Sequence, residues 1–599
     1  VGVINEKVDW HTNFRSLNNA FVEWNIIKGL KFKSSFGIDI DYATNKSYNP
    51  RSVYSGSQKN GEAKKISNNT YTWINENILT YTNTWGVHSF TGMVGYTQQQ
   101  SAYDGFNAGS YGFLNDNLQM NNLGSGTTYT APGSEVKKWA LNSYLARVNY
   151  TVNNKYLLTA SIRADGSSRF GSDNRWGYFP SAALAWRASE EPFIKDLNIF
   201  SNLKPRVSFG ITGNQDGIGT YPAYALLGSN GYVAGGDKVT GYYPSQVANT
   251  NLKWETTSQF DAGIDFGFFN NRLTVVIDGY YKKTRDLLLK VKVPGSSGFS
   301  SGLKNIGEVE NKGFELAINA TPIEGDFTWN TSLNLTYNKN KVLDLGDVSF
   351  IYPSQPGQDE TGIHLGRIIQ VGQPLGTFYG YVYDGLFSTT DDIASSAQPT
   401  AKPGDIRYKD ISGPDGVPDG VINDLDRTII GCAQPKLFGG FNNTFSYKNF
   451  DLNVNTIFTI GNDVYNGTRV TMENMQGSTN MFASTMNYWT PDNQNAPLPR
   501  PLRSKAVMRV SNQYVENGSY LRFQNITLGY NVPTEFLSFT KYVSGLRVYA
   551  SLQNFFTITS YSGDNPEVSK YGQDNLGAGY DAFSYPFAKS VLFGLNVKF

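Results

Sequence analysis

The chain has 599 residues, a net charge of +1 and a single cysteine, Cys432. Charged residues make up 17% of it, whereas aromatic residues reach 14% and glycine occurs 61 times. This composition favours an aromatic-rich β-protein over a helical enzyme. The near-zero charge predicts no nucleic-acid partner, and one cysteine excludes an intrachain disulfide framework or a Cys-rich metal site.

No stretch of the chain approaches the roughly 18 apolar residues of a transmembrane helix. Any membrane crossing is therefore expected to use strands. The sequence opens at Val1 without an initiator methionine, a basic segment or an apolar segment ahead of it. We therefore expect it to be part of a longer product.

Apolar and polar residues alternate along many segments, with the two-residue period of a β-strand. Residues 20–27 and 30–42 form the first pair, joined by a tight turn at Lys28 and Gly29. The last segment, 589–599, ends on an aromatic residue, as a strand with one lipid-facing side does. Further strands are predicted at 71–83, 86–98, 144–150, 156–162, 254–268, from 273 onward, and at 314–320, 327–337, 441–447, 450–458, 520–530 and 546–554.

Two local features refine this pattern. The apolar face changes parity near Asn525, which predicts a β-bulge. Residues 190–192 read Glu-Glu-Pro and are predicted to begin a short helix at the periplasmic rim.

The segment 254–268 alternates with few errors and predicts which side chains face lipid. The residues expected to face outward are Phe260, Ile264 and Phe266, with Val275 on the next strand and Phe593 on the last. Those expected to face inward are Glu255, Gln259, Asp261 and Asp265, with Asp278 and Lys282 on the next strand. An arginine should be tolerated at Gln259 or Asp265 but not at an outward position.

The connections between predicted strands alternate in length. Minimal turns are expected at 28–29, 84–85, 153–154, 270–271 and 448–449, and long loops at 43–70, 101–136, 214–253, 338–436 and 461–518. Outer-membrane barrels have this asymmetry, with short periplasmic turns and long extracellular loops. The sequence therefore predicts an all-β, antiparallel transmembrane β-barrel over residues 1–599, with 338–436 as its longest extracellular loop region.

Counting one strand on each side of every turn gives about 17 strands, an odd number that does not close as a bacterial single-chain barrel. Further strands are then expected upstream of Val1. Residues 20–27 and 589–599 are expected to be free sheet edges unless another segment pairs with them.

Seven stretches, spread over most of the chain, resemble the SusC/RagA family of TonB-dependent outer-membrane transporters. They are YLLTASIRADGSSRFG at 156–171, GYFPSAALAWRASEEPFI at 177–194, LKWETTSQFDAGIDFGFFNNRLTVVIDGYYKKTRDLL at 252–288, NKGFELAINATP at 311–322, KPGDIRYKDI at 402–411, SYLRFQNITLGY at 519–530 and YSGDNPEV at 561–568. Their order is that of the C-terminal part of the family's barrel.

The resemblance implies a barrel of about 22 strands closed around a plug. No residue of this sequence is assigned to the plug or to a TonB box. It further implies active uptake of an oligosaccharide or a peptide, driven by the TonB system, with a SusD-like surface lipoprotein as lid. The expected location is the outer membrane of a Gram-negative, Bacteroidota-like bacterium, in contact with lipid and lipopolysaccharide, and no enzymatic activity is expected. The alternative is a barrel that serves as a structural or assembly component, or as a client, of a larger outer-membrane complex.

One loop has the spacing of a calcium site. Taking Asp415 as the first ligand, Asp419, the Val421 carbonyl, Asn423 and Asp426 fit positions five, seven, nine and twelve of an EF-hand-like loop. Position three is a valine and position twelve lacks the usual glutamate. The alternative interpretation is an acidic, Gly-rich turn held by Asx hydrogen bonds.

Other motifs carry weaker signals. The three histidines, His11, His88 and His364, lie in separate segments, so a Ser-His-Asp hydrolase in the barrel wall is the less favoured interpretation, and a solvated or pore-lining histidine the more favoured one. The aromatic stretch at 378–387 is suited to stacking on sugar rings or to packing its own loop. No substrate residue is assigned from it.

Overall fold

The computed structural model describes residues 5–299, 301–353, 366–476, 480–503, 509–537, 542–570, 572 and 576–599. The chain divides into two compact units. Unit 1 comprises Val1–Trp186, Val207–Ser258 and Thr284–Ile306, and unit 2 comprises Arg187–Arg206, Gln259–Lys283 and Gly307–Phe599.

Strands dominate the described part of the chain. Those of its first half are β1 (Val8–Ile27), β2 (Leu30–Asn49), β3 (Glu62–Trp85), β4 (His88–Phe113), β5 (Gly126–Val152), β6 (Tyr156–Ser167), β7 (Trp176–Trp186), β8 (Phe200–Asn214), β9 (Leu226–Ala234), β10 (Asp237–Gln246), β11 (Glu255–Phe268), β12 (Leu273–Arg285), β13 (Leu288–Lys292) and β14 (Ser301–Asn305). Those of its second half are β15 (Glu308–Ile323), β16 (Phe327–Asp344), β17 (Phe350–Ile351), β18 (Arg367–Gln370), β19 (Thr377–Gly380), β20 (Tyr383–Leu386), β21 (Ile406–Tyr408), β22 (Thr428–Cys432), β23 (Leu437–Tyr447), β24 (Phe450–Ile460), β25 (Asp463–Asn466), β26 (Val515–Asn517), β27 (Tyr520–Val532), β28 (Gly545–Thr559), β29 (Tyr580–Asp581) and β30 (Ser590–Lys598).

The longest strands belong to one antiparallel sheet, which we call the main sheet. In unit 1, β1 to β7 pair in sequence order, each with the next. In unit 2, the paired series is β15, β16, β23, β24, β27, β28 and β30. With β8, β11 and β12 the main sheet has 17 strands among the described residues, which confirms the predicted count.

Turn chemistry explains why the tight connections lie where the sequence predicts them. Gly29 has a φ of 82°, and the Asn153-Asn154 pair has φ values of 51° and 55°, a left-handed conformation that glycine and asparagine adopt most readily. One turn is shifted: β3 continues through Trp85 and the turn is Gly86-Val87. The register of β24 against β27 shifts between Phe523 and Asn525, which confirms the predicted bulge.

Several strands are longer than the alternation predicted. β4 has 26 residues and β5 has 27, so most of the loop expected at 101–136 is strand and the connection is only 114–125. The loop expected at 43–70 likewise shrinks to 50–61, and the first strand begins at Val8. A membrane crossing needs only about 9–11 residues. Outside the membrane both faces of a strand meet water. The sequence of these extensions therefore shows no apolar alternation.

The first and last strands of the main sheet differ from their neighbours in exposure. In β1, 18 of 20 residues are exposed, whereas in β2 only Phe36 and Tyr42 are. In β30, seven of nine residues are exposed. This exposure is that of strands at a sheet edge, as the sequence predicted for 20–27 and 589–599.

Helices are short. They are α1 (Tyr54–Ser57), α2 (Pro192–Lys195) and α3 (Gly467–Met472). The second confirms the helix predicted at 190–192, with Glu191 as N-cap residue and Pro192 in the first turn. In the described part of the chain, no helix has the length and apolar character needed to span a membrane.

The buried hydrophobic clusters lie where connections pack together. In unit 1, Phe170, Leu252 and Trp254 form the centre of one cluster. A second contains Tyr48, Phe113 and Met120. In unit 2 the corresponding cluster lies among three long connections, described next.

Candidate functional site

The described residues of three connections of unit 2 fold together into one body, which we call the loop cluster. They are residues 345–436 after β16, 461–519 after β24 and 560–589 after β28. Strand β25 of the second connection pairs with β29 of the third. Phe378, Val510, Tyr514 and Tyr580, drawn from all three connections, share one buried core. Residues 338–344 of the predicted loop region belong to β16.

Glu516 links the second connection to the third, and an ion pair within the second connection holds it in place. Arg469 lies 2.9 Å from carboxylate oxygens of both Glu473 and Glu516. Glu516 also accepts hydrogen bonds from the backbone amide and hydroxyl of Ser562. Burial opposes ionisation of Glu516, but the hydrogen bonds from Arg469 and Ser562 outweigh it and lower its pKa.

A second arginine fixes the third connection to the main sheet. The Arg522 side chain, on β27, is only 4% exposed and forms an ion pair with Glu567. It also donates to the Asn565 side-chain oxygen at 2.8 Å. Both partners belong to 561–568, one of the seven stretches that resemble the SusC/RagA family. This stretch therefore places an acid and an amide against a buried arginine.

Arg367, on strand β18 of the first connection, also holds the third connection in place. It is 3% exposed and donates to the carbonyls of Leu576 at 2.9 Å, Gly577 at 2.6 Å and Ala578 at 3.3 Å. Nearby, the Tyr561 hydroxyl donates to Asp581 at 2.5 Å; burial, together with this bond, raises the pKa of Tyr561. Sequence reasoning missed Arg367, because nothing local marks an arginine whose partners lie on another connection.

The residues of the predicted calcium loop hold backbone amides. Asp426 is fully buried and accepts from the amides of Ile411, Ser412 and Asn423 at 2.8–3.3 Å. Burial opposes ionisation of Asp426, but these amides outweigh it and lower its pKa. Asp419 accepts from the Val421 amide at 3.0 Å.

The remaining residues of that loop follow the same arrangement. Asn423 accepts from the amide of Leu425 at 2.8 Å and caps a short 3₁₀ turn, while Asp415 lies exposed in a turn. No group of three or more His, Cys, Asp or Glu side chains that could hold a metal ion occurs among the described residues. The Asx hydrogen-bonded turn fits this geometry better than a cation site does, and calcium binding stays a prediction.

The histidines lie apart from one another. His88 Nδ1 lies 2.7 Å from the Tyr150 hydroxyl and its ring stacks on that tyrosine. His11 lies on β1, and His364 falls outside the described residues. In the aromatic stretch, Phe378 and Phe387 are each 2% exposed and so pack the loop. Neither feature forms a catalytic arrangement.

The predicted inward carboxylates of the main sheet share one face. Arg206 lies 3.4 Å from Asp261, 3.2 Å from Asp265 and 2.7 Å from Asp278. Lys204 adds a contact of 2.6 Å to Asp265. Three carboxylates thus surround two cations on the polar side of β8, β11 and β12.

Two cavities of similar size lie among the described residues of unit 2. One, of about 510 Å³, lies on the main sheet against Asn334, Asn442 and Asn455. The other, of about 500 Å³, lies inside the loop cluster between its first and second connections. We call the second one the loop cavity. Both have the size of small-molecule sites.

Comparisons with known proteins agree with this architecture. The family model described as "TonB dependent receptor-like, beta-barrel" matches residues 5–555. TonB-dependent receptor P3 of Formosa agariphila is 38% identical over 595 residues, covering 97% of this chain and 58% of that protein. TonB-dependent receptor SusC of Bacteroides thetaiotaomicron is 34% identical over 556 residues, covering 89% of this chain and 52% of that protein.

A solved structure extends the likeness. The RagAB peptide transporter matches with a TM-score of 0.84 and 27% identity, over 99% of this chain and 62% of that one. The chain belongs to the TonB-dependent receptor β-barrel family, as the SusC/RagA resemblance predicted. It is accordingly a receptor barrel and not an enzyme. It spans between a half and two thirds of the length of the relatives it matches.

Proposed function

We propose that the protein containing this chain is an active importer of oligosaccharides or peptides in the outer membrane of a Gram-negative, Bacteroidota-like bacterium. TonB energises it, and a SusD-like surface lipoprotein covers its long-loop side. The observation that carries this proposal is the likeness to SusC and to the RagAB transporter over nearly the whole chain. The loop cluster supports it, since its third connection is held to the main sheet by Arg522, to the first connection by Arg367 and to the second by Glu516.

The hairpin of β9 and β10 supports the lid. Its pairing puts Leu227, Val233 and Tyr242 on the same face, and each is more than 70% exposed. A two-stranded hairpin is marginally stable alone in water, and an apolar stripe of this kind suits a protein partner. The hairpin lies in the long loop predicted at 214–253, on the side that the proposed lid covers.

The test is extraction of the full-length protein in mild detergent, followed by native mass measurement. We expect a second, lipid-modified polypeptide to co-purify, and the double variant Leu227→Ser/Tyr242→Ser to lose it. Phe269→Ser is the matched control, because Phe269 is 73% exposed at the short-turn end of β11. Recovery of the intact protein without such a subunit would contradict the proposed lid partner.

The structural or assembly role predicts a different outcome. A barrel that passes no nutrient would co-purify with large outer-membrane complexes, and its deletion would leave growth on every oligosaccharide and peptide unchanged. Growth loss on one such nutrient, restored by the intact gene, would favour import.

Calcium binding at 415–426 is tested separately by calorimetric titration of calcium into the purified protein. Heat that Asp419→Asn abolishes would support the cation site. An absence of heat would leave the loop as a turn held by amide hydrogen bonds.

A further inference from the structure

One arginine in the wall of the loop cavity forms no ion pair with the described residues. Its charged lining residues are Asp405, Arg500 and Arg509. Arg500 Nε donates to Asp405 at 2.8 Å, so these two charges cancel. Arg509 has no carboxylate partner among the described residues.

The contacts of Arg509 hold its position without neutralising it. Its two terminal nitrogens donate to the Ile422 carbonyl, each at 3.3 Å. Its guanidinium carbon lies 4.8 Å from the ring centre of Tyr381 and 5.7 Å from that of Tyr408. A guanidinium has five N–H donors in a planar fork, so these contacts leave donors for a further acceptor.

The rest of the lining suits an oligomeric ligand. The first connection contributes Gln398, Pro399 and Tyr408, and the second contributes Asn474 and Pro499. Amide groups beside proline and tyrosine rings offer hydrogen bonds together with apolar contact, and the volume of about 500 Å³ exceeds that of a single ion. The Gln398 side chain is itself held by the backbone of Ile406 and Tyr408, so this wall is preformed.

We propose that the loop cavity binds a carboxylate-bearing segment of the transported substrate, with Arg509 as the residue that recognises the carboxylate. An arginine fork matches a carboxylate in two parallel hydrogen bonds, and the bond is strengthened by charge. The carboxylate has two possible sources, an acidic sugar of an oligosaccharide or an acidic side chain of a peptide. This inference rests on the proposed import function and narrows its substrate class.

The test measures binding to the full-length protein, extracted with its lid subunit. The probes are a short oligogalacturonate and the corresponding neutral galacto-oligosaccharide, then a glutamate-rich peptide and its glutamine counterpart. We expect one carboxylated probe to bind about tenfold or more tightly than its neutral counterpart. Which pair shows the preference identifies the source of the carboxylate.

Variants assign the preference to the cavity. Arg509→Gln should abolish it, and Arg509→Lys should retain part of it because the charge remains. Arg427→Gln is the matched control, since Arg427 is also half-buried and lies 5.5 Å from the Tyr352 ring and 4.8 Å from the Tyr379 ring, outside the cavity. It should leave the preference intact.

Two results would overturn the assignment. Equal binding of carboxylated and neutral probes, or an unchanged preference in Arg509→Gln, would remove the carboxylate site while leaving import of neutral substrates. Binding of no probe, in a preparation that also lacks a lid subunit, would remove the site and the import proposal together.

Discussion

Strand β11 offers a direct test of which face of the main sheet meets lipid, because Phe260 and Gln259 are adjacent and point to opposite faces. Phe260 is 51% exposed and lies five residues into a strand of 14. A crossing uses about 9–11 residues, which puts Phe260 near the membrane midplane. Phe260→Arg should therefore cost about 2–4 kcal/mol of unfolding free energy.

Gln259→Arg is the control on the polar face. There Asp261, Asp265 and Asp278 lie among Lys204, Arg206 and Lys282, so an added guanidinium stays in a polar environment that offers carboxylate partners. We expect a change within about 0.5 kcal/mol. The sequence alone treated Asp265 as an equivalent control. Its contacts with Lys204 and Arg206 remove that equivalence, because Asp265→Arg would place three cations together.

The assay is urea unfolding of the full-length protein in lipid vesicles, followed by the gel mobility shift that separates folded from unfolded barrels. Midpoints and slopes give the free-energy difference between the two variants. Equal loss of stability in both variants would refute the assignment of faces, and with it the lipid exposure of Phe260.

Two further predictions concern the loop cluster. Arg522→Leu leaves the Glu567 carboxylate without its ion-pair partner in a partly buried site. It should lower the free energy of opening of residues 560–589 by about 3 kcal/mol, measured as faster amide hydrogen exchange there, while the central strands stay protected. Unaltered exchange in that segment would contradict the role given to Arg522. Because the pKa of Glu516 is lowered, its ionised form stabilises the fold at pH values above 4.5, the ordinary pKa of glutamate. This stabilisation is lost as the pH falls below 4.5. Amide hydrogen exchange in 461–519, corrected for the intrinsic rate, should accelerate below pH 4.5. The Glu516→Gln variant should show the faster exchange already at pH 7. A difference in exchange rate between the two proteins that does not change with pH would speak against this titration.

The sequence predicted the main sheet well because lipid on one side and polar groups on the other impose a strict alternation. The strand count, the bulge near Asn525 and the Asn153-Asn154 turn all follow from local chemistry. Prediction failed where that constraint ends. Residues 101–113 read SAYDGFNAGSYGF, with no consistent apolar face, yet they continue β4 because β5 pairs with them there.

The loop cluster was beyond sequence reasoning for a different physical reason. The guanidinium carbon of Arg367 lies 5.8 Å from the ring centre of Tyr580, which belongs to a different connection. No periodicity along the chain indicates such a contact. The calcium-like spacing at 415–426 shows an ambiguity that local sequence does contain. Asp and Asn at intervals suit both a cation and a series of capped amides, and only the positions of Ile411 and Ser412 separate the two interpretations for Asp426.

Arginines recur in the loop cluster, and their contacts separate those that hold the connections from the one proposed to bind substrate. Arg367 and Arg522 donate to groups of the third connection, and Arg469 pairs with Glu516, which itself bonds that connection, so these arginines hold the connections in place. Lysine would serve poorly there, because a point charge does not satisfy several planar acceptors at once. Arg509 is the exception, since it is positioned by Ile422 and two tyrosine rings but keeps its charge uncompensated. We therefore expect substitutions around Arg509 to change the proposed carboxylate preference without disturbing the arginines that fix the surrounding loops.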